Sequence, residues 1–143
     1  EVTDFEFDGI IIIPKRFIKN VRDGKYDKCC NEILRFNDVI KKLQTSQWLN
    51  DCETIQQVLN VMKERNIWGA VEVLFSQENK SALYLGKITE SGDEQFSIKG
   101  YDAAGKWEKE SDIDFKEIFR IELDSKYCNY FNAFMKSKTK AVS

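Results

Sequence analysis

Hydrophobic and polar residues alternate over most of the chain after residue 66. Short strand-like stretches are separated by turns that carry glycine or asparagine, and they run WGAVEVLF, SALYLGKIT, QFSIKGYD, WEKESDIDF and FRIEL. Such spacing is typical of an antiparallel meander, in which each strand pairs with the next. We therefore expect residues 67–143 to form a small antiparallel curled sheet or barrel that ends in a helix from Tyr127 to about Lys138.

The first half of the chain follows the period of an α-helix. From Tyr26 the apolar residues recur on one helical face, and TIQQVLNVMKER combines a Thr54/Gln57 capping box with apolar residues at i, i+3, i+4 and i+7. Before the first helix, Ile10 to Ile13 and residues 17–22 each predict a short strand. The prediction is an α+β protein: a ββα unit with further helices over 1–66, and the five-stranded barrel with its helix over 67–143, in one compact globule.

The chain contains an internal repeat with an offset of 101 residues. DGKYDKCCNEIL at 23–34 matches DSKYCNYFNAFM at 124–135, and the match extends back to Lys15 and Lys116. In each copy a strand is expected to turn into a helix, with Asp23 or Asp124 as the N-cap. The repeat therefore predicts a doubled structural element, with the first unit a partial copy of the second, and not a catalytic site.

Composition narrows the range of functions. The chain has no histidine, which excludes Ser-His-Asp and Cys-His catalysis and most zinc sites. Four cysteines show no CxxC spacing, which favours reduced packing residues in a cytoplasmic protein, with a disulfide in a secreted copy as the alternative. No signal-peptide pattern and no apolar run of about 20 residues is present. We expect a binding protein with no cofactor, no metal, no small-molecule substrate and no membrane partner, and not an enzyme.

Acidic residues are concentrated between Glu90 and Asp124. This span holds eleven acids and five bases, a net charge of −6, whereas the whole chain carries −2. If residues 107–115 are extended, four carboxylates share one face of a strand in a row of about 20 Å: Glu108, Glu110, Asp112 and Asp114. Such a row is either a solvated face that prevents edge-to-edge aggregation or a docking surface for a basic partner. Trp107 and Tyr101 would anchor that surface or belong to the core.

A basic and aromatic cluster near the start suggests a different function. Six bases between residues 15 and 28 are interleaved with Phe17 and Tyr26, a combination found in RNA-binding surfaces. They are Lys15, Arg16, Lys19, Arg22, Lys25 and Lys28. Residues 1–65 carry eleven acids as well as eleven bases, so the cluster lies in a neutral field and nucleic acid is the weaker expectation.

Two resemblances complete the prediction. YLGKITESGDEQFSIKGYDAAGKWEKESDIDFKEIFRIELDSKY, with its GKI strand, F-x-I strand and D-x-x-G-x-W turn, resembles the Sm-like or SH3-like small barrels of bacterial proteins. In overall character the chain resembles the immunity proteins of contact-dependent growth inhibition. That resemblance implies that the protein sequesters a cognate toxin domain, commonly a basic nuclease. The alternative implied by the barrel is an Sm-like RNA-binding or RNA-associated protein.

Overall fold

The structure, a computed structural model, describes residues 2–3, 6–38, 47–75 and 77–141 of the chain. Within these ranges the strands are β1 (Val2–Thr3), β2 (Glu6–Phe7), β3 (Ile10–Ile12), β4 (Gly69–Phe75), β5 (Lys80–Ser91), β6 (Gln95–Tyr101), β7 (Ser111–Asp114) and β8 (Ile118–Leu123). The helices are α1 (Lys25–Phe36), α2 (Ile55–Glu64) and α3 (Lys126–Ala141), with 3₁₀ turns at Lys15–Phe17, 47–51 and Phe115–Glu117. These elements confirm the α+β class.

Six strands form one antiparallel sheet in the order β3-β8-β4-β5-β6-β7, while β1 pairs only with β2. The five strands β4 to β8 lie where the alternating pattern predicted them. The sheet is open and is not the closed or strongly curled barrel that the sequence suggested. Strand β8 pairs with β4 on one side and with β3 on the other, so it has no free edge to offer β7.

Side chains alternate across the sheet and build a core on each face. In β4, Val71 and Val73 are fully buried on the side covered by α2, whereas Ala70 points to the side covered by α3. The α2 side holds the larger core, which includes Val58, Leu59, Met62, Ile88, Phe96, Ile98, Ile113, Ile118, Ile121 and Leu123. The smaller core contains Trp68, Ala70, Leu85, Tyr101, Cys128 and Met135.

Helix α2 begins at the capping box that the sequence predicted. Thr54 Oγ1 accepts a hydrogen bond from the Gln57 N–H at 3.2 Å, and Gln57 Oε1 accepts one from the Thr54 N–H at 3.1 Å. Both exchanges satisfy amide groups that the first helical turn leaves unpaired. The apolar residues that follow face the sheet, so α2 seals the larger core.

The N-caps of α1 and α3 lie one residue later than the sequence predicted. Gly24, not Asp23, caps α1, and its N–H donates to Asp27 Oδ2 at 2.7 Å. In the second copy, Ser125 Oγ accepts from the Cys128 N–H at 3.2 Å. Asp124 adopts a left-handed φ of 57°, which turns the chain out of β8 before the helix begins.

The N-terminal segment is tied to the start of α3. Asp8 Oδ1 accepts a hydrogen bond from the Lys126 N–H at 2.8 Å, which satisfies another amide of the first helical turn. Gly9 follows with φ +87°, and a Cβ there would lie 2.5 Å from the Leu123 carbonyl oxygen. Only glycine therefore allows β3 to reach the edge of β8 at this point.

The internal repeat has a structural counterpart. At the same offset of 101 residues, β3 begins in register with β7 and α1 with α3, while the first and last 3₁₀ turns correspond at an offset of 100. The two turns also meet, because Arg16 Nη2 donates to the carbonyl oxygens of Phe115 at 3.3 Å and of Lys116 and Ile118 at 3.0 Å each. The predicted strand over 17–22 is absent, because residues 18–24 form no helix or strand, whereas the equivalent residues of the second copy form β8.

Candidate protein-binding surface

The predicted acidic segment lies at the open edge of the sheet, in and just before β7. Strand β7 pairs with β6 so that Asp112 lies opposite Ser97 and Asp114 opposite Gln95. Ile113 is buried in the larger core, whereas Asp112 is exposed. The expected two-residue alternation is therefore present within β7, with its apolar position inward and its acids outward.

A bulge separates Glu108 from the other three acids. Trp107 pairs with Tyr101 and Ser111 pairs with Ile98, so four steps along one strand match three along the other. The extra residue reverses the alternation between 107 and 111. Glu108 Oε2 lies 3.6 Å from the position that a Cβ on Gly100 would take, on the α2 side of the sheet. The expected row of four on one face is therefore a row of three.

Neutral groups of the protein hold those three carboxylates in place. Ser97 Oγ donates to Asp112 Oδ1 at 2.6 Å, and Thr89 Oγ1 donates to Glu110 Oε1. Asp114 Oδ1 accepts from the Lys116 N–H at 3.0 Å. Among the residues that the structure describes, neither these acids nor Glu108 forms an ion pair with a lysine or arginine. Their orientation is fixed while their negative charge stays unpaired.

Two lysines lie further in on the same face. Lys87 and Lys99 are directly opposite each other across β5 and β6, on the side that also carries Thr89 and Ser97. Like charges in that position repel each other, and the neighbouring acids reduce the repulsion. The negative potential is therefore confined to a narrow border along β7, and we call Glu110, Asp112 and Asp114 the acidic edge.

The two predicted aromatic anchors differ in exposure. Tyr101 is only 3% exposed, and its hydroxyl donates to Asn132 Oδ1 at 2.7 Å in the smaller core. Burial raises the pKa of this tyrosine, which keeps the phenol neutral. Trp107 is half-buried and packs edge-on against Trp68 and Tyr101, at ring distances of 5.6 and 5.9 Å. Tyr101 therefore belongs to the core beneath the surface, whereas Trp107 is partly accessible at the surface itself.

Helix α3 carries an exposed aromatic stripe, which its sequence predicted only as part of a closing helix. Tyr127, Tyr130 and Phe134 on α3 are 51, 79 and 51% exposed. Phe131 lies between this stripe and the core, with its ring 4.9 Å from Tyr127 and 6.0 Å from Tyr101. The spacing i, i+3 and i+7 places the three side chains on one side of the helix, and this could have been seen in the sequence. Periodicity does not say whether that side faces the sheet or the solvent. We call Tyr127, Tyr130 and Phe134 the aromatic stripe.

Helix α3 also carries positive charge. Lys138 Nζ donates to the Gly105 carbonyl oxygen at 2.9 Å and lies 4.6 Å from the centre of the Phe134 ring. Lys136 lies 4.9 Å from the Trp68 ring on the other side of the helix. The sequence of α3 contains no aspartate or glutamate. The acidic edge and the basic aromatic helix are thus neighbouring regions of opposite charge, joined through Trp107 and Tyr101.

The predicted basic cluster over 15–28 is divided by the fold. Arg16 is used within the protein, since its guanidinium binds the backbone of the last 3₁₀ turn. The other five bases are exposed. A cleft of about 560 Å³ opens beside Lys15 and Lys116 at the start of α2. In the described part of the chain, no three or more cysteines and carboxylates form a group that could hold a metal ion.

Neither a family model nor any curated protein or solved structure matches this chain. The resemblances to small barrels and to immunity proteins therefore stay predictions. Over the residues described, no helix combines the length and the apolar character needed to cross a bilayer.

Proposed function

We propose that this protein is an immunity protein, a binding module and not an enzyme, which binds and neutralises a cognate bacterial toxin domain of basic, nuclease type. The observation that carries the proposal is the acidic edge. Three carboxylates are oriented by hydroxyl and amide donors and form no ion pair with a base in the described part of the chain. Lysine and arginine side chains of a partner can therefore bind them without first displacing an internal ion pair.

Charge complementarity explains why a nuclease suits this edge. A nuclease must bind phosphate groups, so its substrate groove presents lysine and arginine. Carboxylates at alternate positions of a strand are about 7 Å apart, and such a row can contact several cations of a groove at once. The field of the row would also speed association, which benefits an inhibitor that must act before the toxin does.

The aromatic stripe and Trp107 supply the second part of the surface. Exposed aromatic side chains contribute most of the affinity in many interfaces, because they bury a large area and lose little conformational entropy. Tyr130 is 79% exposed beside the better-packed Phe131. We infer that the acidic edge steers the toxin and that Trp107 with the aromatic stripe holds it.

A binding measurement with the toxin domain encoded directly upstream of this gene tests the proposal. The double variant Glu110→Lys/Asp112→Lys should raise the dissociation constant at least about tenfold, and wild-type binding should weaken as salt is added. The control Glu53→Lys/Glu64→Lys makes the same charge change at exposed positions near and on α2 and should bind normally. An unchanged dissociation constant for the edge variant would remove the acidic edge, and failure of the toxin domain to bind would remove the immunity function.

A second candidate function, RNA binding, is favoured by α3. Its lysines and exposed aromatic side chains could bind phosphates and stack on unpaired bases. Fluorescence anisotropy with a labelled single-stranded RNA at low salt tests it, with Tyr130→Ala/Phe134→Ala as the variant. Binding that falls steeply with salt and is lost in the variant would favour this function over the first.

A further inference from the structure

Helix α1 exposes almost all of its apolar face. Tyr26 and Phe36 are 86 and 88% exposed, Ile33 is 37% exposed, and Cys29 and Cys30 are exposed between them. These five side chains lie within an arc of about 120° on the helix. Leu34, at the border of that arc, is the single buried residue of α1. The helix thus presents a wide apolar surface to solvent.

The length of α1 makes this exposure informative. It has 12 residues, and a helix of that length is only marginally stable in water without tertiary packing. Its counterpart α3 packs Cys128, Asn132 and Met135 against the sheet. A surface that covers the apolar face of α1 would supply the stabilisation that the sheet supplies to α3.

We propose that this surface is α1 of a second copy, packed antiparallel about a two-fold axis between Cys29 and Cys30. In that arrangement Tyr26 of one copy lies across from Ile33 of the other. The inference does not depend on the proposed function, because the acidic edge and the aromatic stripe take no part in it.

The charges beside the apolar face favour a second copy over other occupants. Lys25 and Glu32 lie two turns apart on the same flank of the helix, and neither forms an ion pair with a described residue. In the antiparallel pair, Lys25 of one copy and Glu32 of the other are offset by about 3 Å along the axis, at 1.5 Å per residue. The two-fold axis forms this pair twice. An anionic membrane would satisfy the lysine and repel the glutamate.

The interface should be weak. A 12-residue helix is about 18 Å long, so two such faces bury an area at the low end of specific interfaces. Exposed Ile18 and Val21, just before the helix, add apolar surface. We expect a dimer with a dissociation constant in the micromolar range, which sedimentation velocity over a concentration series would measure.

A charge exchange provides the sharpest test. Lys25→Glu alone and Glu32→Lys alone should each weaken the dimer at least about fivefold, because each creates two repulsive pairs at the interface. An equimolar mixture of the two variants should restore dimers close to wild-type affinity, since the mixed pair regains both attractions. Glutamate at the first position of a helix also favours the helix, so melting of α1 would not explain the loss caused by Lys25→Glu.

Apolar variants and cross-linking supply the controls. Ile33→Glu should abolish the dimer, whereas Leu83→Glu, at a 53% exposed leucine on β5, should not change it. A short bis-maleimide should link two wild-type chains through Cys29 and Cys30, and the Cys29→Ser/Cys30→Ser variant should not be linked. A monomer up to about millimolar protein would overturn the proposal. A dimer whose affinity is unchanged by Lys25→Glu and Glu32→Lys would also overturn it. So would binding of the wild-type chain to anionic vesicles, if Ile33→Glu abolished that binding.

Discussion

Helices α1 and α3 begin at equivalent positions of the internal repeat, but only α3 packs its inward face into a core of the sheet. Lys25 and Lys126 open the two helices, 101 residues apart. Helix α3 follows β8, which is an interior strand, so the helix begins next to the sheet that it packs against. Helix α1 follows residues 18–24, which belong to no strand. The comparison teaches that a repeated pattern can specify a helix twice, while burial depends on the element that precedes it.

The largest difference in stability between matched variants of the two helices is expected at their buried apolar residues, Met135 and Leu34. Met135→Ala should lower the free energy of unfolding by about 2–5 kcal/mol, because this side chain is fully buried in the smaller core. Leu34→Ala, at the equivalent position of α1, should cost less than half as much, because Leu34 belongs to neither core. Urea denaturation followed by tryptophan fluorescence measures both. Equal losses would mean that α1 is packed as closely as α3.

An identical residue in the two copies gives a matched pair of variants. Asn132 accepts a hydrogen bond from Tyr101 at 2.7 Å and donates one to the Trp68 carbonyl oxygen at 3.3 Å. Asn132→Ala should therefore cost about 1–3 kcal/mol, since both buried partners are left unsatisfied. Asn31→Ala removes the same side chain from an exposed position and should change stability by less than about 0.5 kcal/mol. A costly Asn31→Ala would show that α1 has a polar contact of its own.

The tyrosine beneath α3 predicts a loss of stability at high pH. Burial raises the pKa of Tyr101 above its ordinary value near 10. Above about pH 10 the unfolded chain releases this proton and the folded protein keeps it, so the free energy of unfolding falls as pH rises. Tyr101→Phe should cost about 1 kcal/mol at neutral pH and should reduce the alkaline loss. The readout is the stability of both proteins between pH 8 and about 11; parallel curves would contradict the assignment.

Cysteine labelling compares the helices with the least perturbation. Cys29 and Cys30 on α1 are exposed, whereas Cys128 on α3 is buried. Burial raises the pKa of Cys128, and a raised pKa lowers the fraction of reactive thiolate. Mass spectrometry after brief maleimide treatment should find Cys29 and Cys30 modified first and Cys128 only in denaturant. Early modification of Cys128 in the native protein would mean that α3 opens from the sheet.

The acidic edge shows how far sequence reasoning reached into the candidate site. Alternation predicted that Asp112 and Asp114 face outward around a buried Ile113, and β7 has that arrangement. The separation of Glu108 could not be predicted, because a bulge is defined by the pairing of two strands and not by either strand alone. The burial of Tyr101 was also open, since its neighbour Asn132 is 31 residues away.

By itself, the sequence determined the positions of the three helices and of strands β4 to β8, because the periods of 3.6 and 2 residues and the Thr54 capping box act between near neighbours. It did not determine residues 17–22, where the same alternation is present but no strand forms. It also determined that acidic residues are concentrated between Glu90 and Asp124 and that no histidine is available for catalysis. The tertiary structure decided that the sheet stays open, that α3 packs against it, and that Tyr26, Ile33 and Phe36 of α1 are left exposed. Those outcomes depend on pairing between segments about 100 residues apart, such as β3 on β8, which no local pattern encodes.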